Sequence, residues 1–161
     1  MLNILMSIGI VLGVYCVGMA RSTQAFSADA EAALKTEKEI YVATKRKNGE
    51  WSKAAPIWFM YDGEALYFTA GPSSYKTKRI KRRSPVKVWV GSTNGPSFTG
   101  KAEIINDSDI ITRMGEAYSQ KYWLAWLGVA RPRVSRVQSG KTVAVKVTPL
   151  DEGAEVNAPE K

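Results

Sequence analysis

Histidine is absent from the sequence, and cysteine occurs once, at Cys16. Without histidine, the chain lacks the usual general base, the Ser-His and Cys-His nucleophile systems, and the commonest nitrogen ligand for zinc or copper. A single cysteine cannot form an internal disulfide bond. We therefore predict no metal site, assign no catalytic side chain, and expect any chemistry to be supplied by a bound cofactor.

Carboxylates are also missing from the middle of the chain, because no Asp or Glu lies between Glu64 and Glu103. Residues 73–87 alone carry seven Lys or Arg side chains, and the formal net charge of the whole chain is +8. Such a concentration of positive charge attracts anions. We therefore expect the partner of this region to be anionic.

The chain of 161 residues is long enough for one domain with a hydrophobic core, and too short for two sizeable ones. Hydrophobic residues make up 45% of it, with five Trp and seven Tyr, which argues against disorder. We assign one domain to residues 36–149 and an acidic, flexible tail to residues 150–161.

The N-terminus is a separate segment, because residues 4–20, "ILMSIGIVLGVYCVGMA", contain no charge. A run of about 17 apolar residues is at the low end of what spans a bilayer as a helix. A buried core helix is a weaker alternative, because the run has no polar face. We predict that residues 1–30 anchor the protein to a membrane. The alternative is export after signal cleavage, because the small residues Ala28 and Ala30 follow the run at signal-peptidase spacing. Neither reading fixes the side of the membrane.

The rest of the chain alternates between strand patterns and turn signals, and it predicts a mainly β protein. Pro56 marks an edge or a bulge in its strand, while Asn48-Gly49 and Asp62-Gly63 predict hairpin turns. We predict strands near residues 40–44, 52–61, 65–70, 86–91, 97–105 and 141–149, helices over 75–83 and 110–127, and a loop over 131–140. Six strands with two helices indicate a closed or nearly closed antiparallel barrel with peripheral helices.

The basic stretch "SSYKTKRIKRRSPVK" has four interpretations. A nucleic-acid surface is disfavoured, because the sequence contains no recognised nucleic-acid-binding signature, and we predict no nucleic-acid partner. A membrane-surface patch and a solvated helix face are possible, although neither explains why the charges lie between two strands. The fourth interpretation is a phosphate pocket, in which Ser, Lys and Arg side chains at the start of a helix hold the anion. We favour this interpretation.

The order of these segments resembles a known family. The stretch "IYVATKRKNGEWSKAAPIWFMYDGEALYFTAGPSSYKTKRIKRRSPVKVWV", followed by "GPSFTGKAEIINDSD" and "QKYW", is similar to pyridoxamine 5'-phosphate oxidase-like proteins and their deazaflavin-dependent relatives. The resemblance covers residues 36–149. It implies a six-stranded antiparallel split β-barrel, usually a homodimer, with FMN or a deazaflavin at the subunit interface.

The resemblance also implies which residues contact that cofactor. The residues expected along its ring are Ala54, Ala55, Pro56, Ile57 and Trp58. Those expected at its phosphate are Thr69, Ser74, Lys76 and Arg79, with Lys78 as an addition. In this chain five positions separate Ile80 from Pro85, one more than in many relatives. The substrate-binding residues of true pyridoxamine phosphate oxidases are not recognisable, so that reaction is not predicted.

We therefore expect an oxidoreductase that transfers a hydride through FMN or a deazaflavin to an unidentified small molecule. The alternative is a non-catalytic, membrane-associated module that binds a cofactor or lipid. Tyr118, Lys121 and Tyr122 are candidate substrate contacts. We favour a purely structural role for them, with this helix packing its aromatic residues on the barrel. The sequence does not choose between FMN and a deazaflavin, because both carry the ring and phosphate that these residues would hold.

Overall fold

The computed structural model describes residues 25–150 except residue 129. Its strands are β1 (Ile40–Thr44), β2 (Ala55–Ile57), β3 (Phe59–Tyr61), β4 (Leu66–Ala70), β5 (Val86–Val90), β6 (Ser97–Ile105) and β7 (Val143–Pro149). Its helices are α1 (Ala28–Thr36), α2 (Tyr75–Lys81), α3 (Ser108–Lys121), α4 (Trp123–Trp126) and α5 (Val134–Gln138).

The strands form one antiparallel sheet in the order β2-β1-β5-β6-β7-β4-β3. Its two outermost strands, β2 and β3, are consecutive in the chain and are separated by Trp58 alone. The sheet therefore curls until its two edges meet at one residue, which gives the nearly closed split barrel that the sequence predicts. The described part of the chain forms seven strands rather than six, because the predicted strand over residues 52–61 is divided. Its first part pairs with β1 and its second part pairs with β4.

Two hairpin turns have the conformation that their sequences predict. Gly49 and Gly63 have φ of +84° and +94°, a region that costs glycine little and other residues much more. The chain therefore reverses at both positions, and the hairpin predictions are confirmed.

The barrel interior is filled by apolar side chains from the strands, and two helices approach opposite ends of β1. Leu34 of α1 and Ile80 of α2 both pack into this core. Phe26, before α1, packs edge-on against Tyr61 and Phe98 at 5.3 and 5.0 Å between ring centroids. Residues before β1 therefore contribute to the same core as the strands.

A second apolar cluster lies between the barrel wall and α3. Ile111, Met114 and Tyr118 of α3 are buried there with Met60 and Tyr67 of the strands. Helix α3 begins with a side-chain cap. The Asp107 side chain accepts hydrogen bonds from the backbone N–H groups of residues 109 and 110, at 2.9 and 3.0 Å.

Two predictions for this region need correction. The helix predicted over residues 110–127 stops at Tyr122, which has an extended conformation (φ −124°, ψ 115°), and α4 then begins at Trp123. The loop predicted over residues 131–140 contains α5. A helix of five residues is too short to produce a readable apolar periodicity.

The predicted membrane segment, residues 4–20, lies outside the described residues. Within residues 25–150, leaving out residue 129, no helix has the length and apolar character needed to cross a bilayer.

Candidate functional site

The loop before α2 is held by its own hydroxyl groups. The Ser74 hydroxyl accepts a hydrogen bond from the Thr77 N–H at 3.2 Å and donates one to the Thr77 hydroxyl at 3.0 Å. The Thr77 hydroxyl in turn donates to the carbonyl of Gly71 at 2.8 Å. Thr77 is fully buried, so this network fixes the first turn of α2, which contains Lys76 and is followed by Lys78 and Arg79.

The predicted phosphate contacts Lys76, Lys78 and Arg79, which we call the cationic cluster, differ in their surroundings. Lys76 is half-buried, with its ammonium 5.9 Å from the centre of the Phe68 ring. This burial lowers the pKa of Lys76 to about 8. Lys78 is exposed, with its ammonium 5.5 Å from the Tyr75 ring.

Arg79 links α2 to the barrel. Its Nη1 atom donates a hydrogen bond to the Thr44 hydroxyl, at 3.1 Å, across 35 positions of the chain. Thr44 was not identified from the sequence, and no local pattern could have indicated it, because the contact depends on the fold. Among the described residues, none of the ion pairs involves a member of the cationic cluster.

The predicted ring-lining residues lie in or next to β2, the strand that pairs with β1. Ala55 and Pro56 are exposed on β2 and pair with Val42 and Tyr41, while Ala54 is half-buried just before them. As the outermost strand of the sheet, β2 has one edge without a strand partner in the described part of the chain. The prediction that Pro56 occupies an edge is therefore confirmed, and its missing N–H removes no ladder hydrogen bond.

The structure therefore brings most of the predicted residues onto neighbouring elements. Arg79 contacts the end of β1, and β2 pairs along β1. Lys76 lies against Phe68, which directly precedes Thr69 in β4. Trp58 is the exception, because its indole stacks on Tyr122 at 4.4 Å and belongs with the α3 side of the barrel.

Two tyrosines of the α3 region hold the backbone where β2 ends and β3 begins. The Tyr118 hydroxyl donates to the carbonyl of Trp58. The Tyr122 hydroxyl accepts from the Phe59 N–H at 3.0 Å and donates to the Lys38 carbonyl at 2.7 Å. Burial raises the pKa of Tyr122 to about 12. Both hydroxyls therefore hold the backbone at the strand break. This is a structural role, which the sequence analysis favoured over substrate contact.

A cleft of about 1040 Å³ lies on this side of the molecule, which we call the α4 cleft. It is lined by residues 37–39, Trp58, Gly91, residues 119–124, and residues 126 and 127. Lys121 enters it with its ammonium 3.4 Å above the Phe59 ring, and burial lowers the pKa of Lys121 to about 8. Trp58 is the one predicted cofactor residue that the α4 cleft includes, and the cationic cluster is not part of its lining.

The curled sheet, its divided edge strand and the peripheral helices define a split-barrel protein. The sequence profile of the family described as Pyridoxamine 5'-phosphate oxidase matches residues 26–151. The chain belongs to this family, and a comparison with the curated proteins returns no match.

Solved structures with this fold include several of different stated function. A candidate pyridoxamine 5'-phosphate oxidase from Listeria innocua has a TM-score of 0.54 at 22% identity, over 74% of this chain and 90% of that one. An F420 reductase has a TM-score of 0.51 at 22% identity, over 74% and 92%. A candidate 5-nitroimidazole antibiotic resistance protein from Bacteroides thetaiotaomicron has a TM-score of 0.56 at 19% identity, over 76% and 78%. At these identities the likeness establishes the fold alone.

Proposed function

We propose that the protein binds FMN or a deazaflavin coenzyme, with its phosphate against Lys76 and Arg79, and acts as an oxidoreductase on a small molecule. Membership of the family supports a cofactor of the flavin type. The observation that carries the proposal is Lys76, a half-buried ammonium group that no carboxylate neutralises among the described residues. A buried cation without a partner costs free energy, and an arriving anion removes that cost.

The donors around α2 fit a phosphate group. Arg79 offers a planar guanidinium with five N–H donors, and the contact with Thr44 uses one of its nitrogens. Lys76 offers three N–H donors on a compact charge. Ser74 has a supporting role in this assignment, because its hydroxyl already holds Thr77, which lies between the two cations in the chain.

The exposed edge of β2 fits the ring. Ala55 and Pro56 are both small and exposed on this strand, and Pro56 has no N–H to leave unsatisfied. When bound, the cofactor supplies hydride transfer. This chain then binds and orients it, with the cationic cluster fixing one end and β2 lying beside the other. In this proposal a second copy of the chain covers the open edge, as a homodimer with the cofactor at the interface.

The experiment is a cofactor titration of the purified full chain in detergent. We expect flavin-like absorbance on purification, or saturable binding of added FMN or of a deazaflavin. Replacing Lys76 and Arg79 by Ala should weaken that affinity about 100-fold to 1000-fold, as expected for two charge-assisted hydrogen bonds. The matched control replaces the exposed Lys81 and Arg82, which should change it less than about five-fold.

Three outcomes separate the alternatives. A protein that binds neither cofactor refutes the proposed function. Equal affinity in the Lys76→Ala, Arg79→Ala variant and in its control refutes the phosphate site. A protein that binds the cofactor, but whose bound cofactor is never reduced or reoxidised by any donor or acceptor tested, supports the non-catalytic module instead.

A further inference from the structure

Helix α4 carries large apolar side chains that the other described residues leave exposed. Trp123, Trp126 and Leu127, which we call the tryptophan surface, are 71%, 73% and 58% exposed. Trp123 and Trp126 are three positions apart and so lie on one helical face, whereas Ala125 is fully buried against the α3 cluster. The buried alanine fixes α4 to the barrel, and both indoles therefore remain in solvent.

The chain that follows α4 is positively charged. No Asp or Glu occurs in residues 117–150, whereas Arg131, Arg133 and Arg136 are all exposed there. Arg133 is close to the end of α4, because a Cβ atom added at Gly128 would lie 3.1 Å from its Nη2 atom. Two carboxylates, Glu37 and Glu39, also line the α4 cleft. One exposed arginine, Arg133, therefore lies at the end of α4 beside the tryptophan surface, and two more exposed arginines are within three positions of it in the chain.

We propose that the tryptophan surface docks on an anionic phospholipid bilayer, with Trp123, Trp126 and Leu127 in the interfacial layer and the arginines over the headgroups. Tryptophan favours the membrane interface, because its ring is apolar and its N–H remains hydrated. Clustered Lys or Arg side chains gain further affinity from anionic lipids. The exposed indoles fit the membrane interface, and the exposed arginines fit the anionic headgroups.

The size of the tryptophan surface favours lipid over a second copy of the chain. At their present exposures, two indoles and one leucine can bury roughly 500 Å². A stable protein interface needs about 800 Å² on each partner. Small wedges of this size are sufficient at a bilayer, where each inserted side chain contributes independently.

The N-terminal sequence also favours a bilayer partner. Residues 4–20 carry no charge, so the sequence itself predicts a membrane-directed segment on the same chain.

The test uses the full chain bound to vesicles of phosphatidylcholine and phosphatidylglycerol with brominated acyl chains, which quench indoles at the interface. We expect quenching in the native protein, and the W123F/W126F variant should lose about half of it or more. Replacement of the half-buried Trp89 by Phe is the matched control and should leave the quenching in place. Residues 1–24 are unchanged in every variant, so loss of an N-terminal anchor cannot imitate the result.

A second variant tests the charge term. R131Q/R133Q/R136Q should reduce the quenching on anionic vesicles to the level that the native protein gives on phosphatidylcholine alone. No quenching in the native protein, or equal quenching in W123F/W126F, overturns the proposal. A W123A/W126A variant that changes from dimer to monomer, in a protein whose native form is not quenched, identifies a second copy as the occupant and also overturns it.

Discussion

The titration of Lys76 gives cofactor binding a pH dependence. Burial lowers its pKa to about 8 in the protein without ligand, while the second pKa of a phosphate group is about 6. The ammonium form binds the anion, so proton loss above pH 8 removes the attraction. We expect the affinity for FMN to be nearly constant between about pH 7 and 8 and to fall as the pH rises further, in fluorescence titrations at each pH.

The Lys76→Met variant should bind more weakly at neutral pH and should lose this pH dependence. Lys78→Met, at an exposed position, should retain it. A native profile that stays flat up to pH 10 would mean that Lys76 does not hold the anion.

The same burial also predicts that the stability of the ligand-free protein rises with pH, whereas its affinity for the cofactor falls. The folded-state pKa of Lys76 lies below its ordinary value of 10.5, so folding disfavours the charged form, and stability should rise as the pH increases from about 8 towards 10.5. At pH 7 the Lys76→Met variant should therefore be more stable than the native protein without ligand, by about 1 kcal/mol after allowance for solvent screening. Urea unfolding at pH 7 measures this, with Lys78→Met as the control. A destabilised Lys76→Met protein would contradict it.

At the scale of elements, Tyr122 connects the end of α3 to the break between β2 and β3. Its buried hydroxyl bonds the Phe59 N–H and the Lys38 carbonyl. Tyr122→Phe removes the hydroxyl, and both backbone groups lose this hydrogen bond. The loss should lower the free energy of unfolding by about 1–3 kcal/mol. Urea unfolding provides the measurement.

Tyr75→Phe is the matched control, because Tyr75 is 75% exposed and its loss of a hydroxyl should change stability by less than about 0.5 kcal/mol. Equal stability of the two variants would mean that the strand break is held without Tyr122.

The same contact explains how far the sequence could predict the fold. β1 and β6 have the predicted bounds, because alternating or β-branched residues and turn signals act locally. The division at Trp58 was not predictable, since Tyr122, which holds it, is 63 positions from Phe59. The early end of α3 has the same cause. Tyr122, directly after the last residue of α3, bonds the barrel instead of continuing the helix.

The candidate site also has features that the sequence predicts and features that depend on tertiary packing. Lys76 and Arg79 could be identified from the sequence through the resemblance to a known family. The partner of Arg79 on β1 and the burial of Lys76 against β4 are consequences of tertiary packing. The sequence shows that seven cations lie in or near α2. Which of them is partly buried depends on the fold.

At the scale of the whole molecule, the barrel that residues 25–150 form, residue 129 apart, closes without pairing the outer edge of β2. An unpaired edge strand is a liability that proteins usually cover or blunt. Pro56 blunts it in part, because proline offers no N–H to a further strand. The small exposed side chains of Ala55 and Pro56 leave room for a planar ligand and for a second subunit above it, which is the arrangement proposed for the homodimer.

Ala55→Glu tests this arrangement as a whole. A carboxylate on the exposed face of β2 should repel an anionic cofactor and obstruct the second subunit, while the barrel core remains unchanged, since Ala55 faces solvent. We expect sedimentation in density-matched detergent to give twice the 17.7 kDa chain mass for the native protein and one chain mass for Ala55→Glu, with cofactor affinity falling at least about ten-fold. Ala32→Glu, exposed on α1, should change neither quantity. If Ala55→Glu stays dimeric with native affinity, the open edge of β2 is not where the cofactor and the second subunit meet.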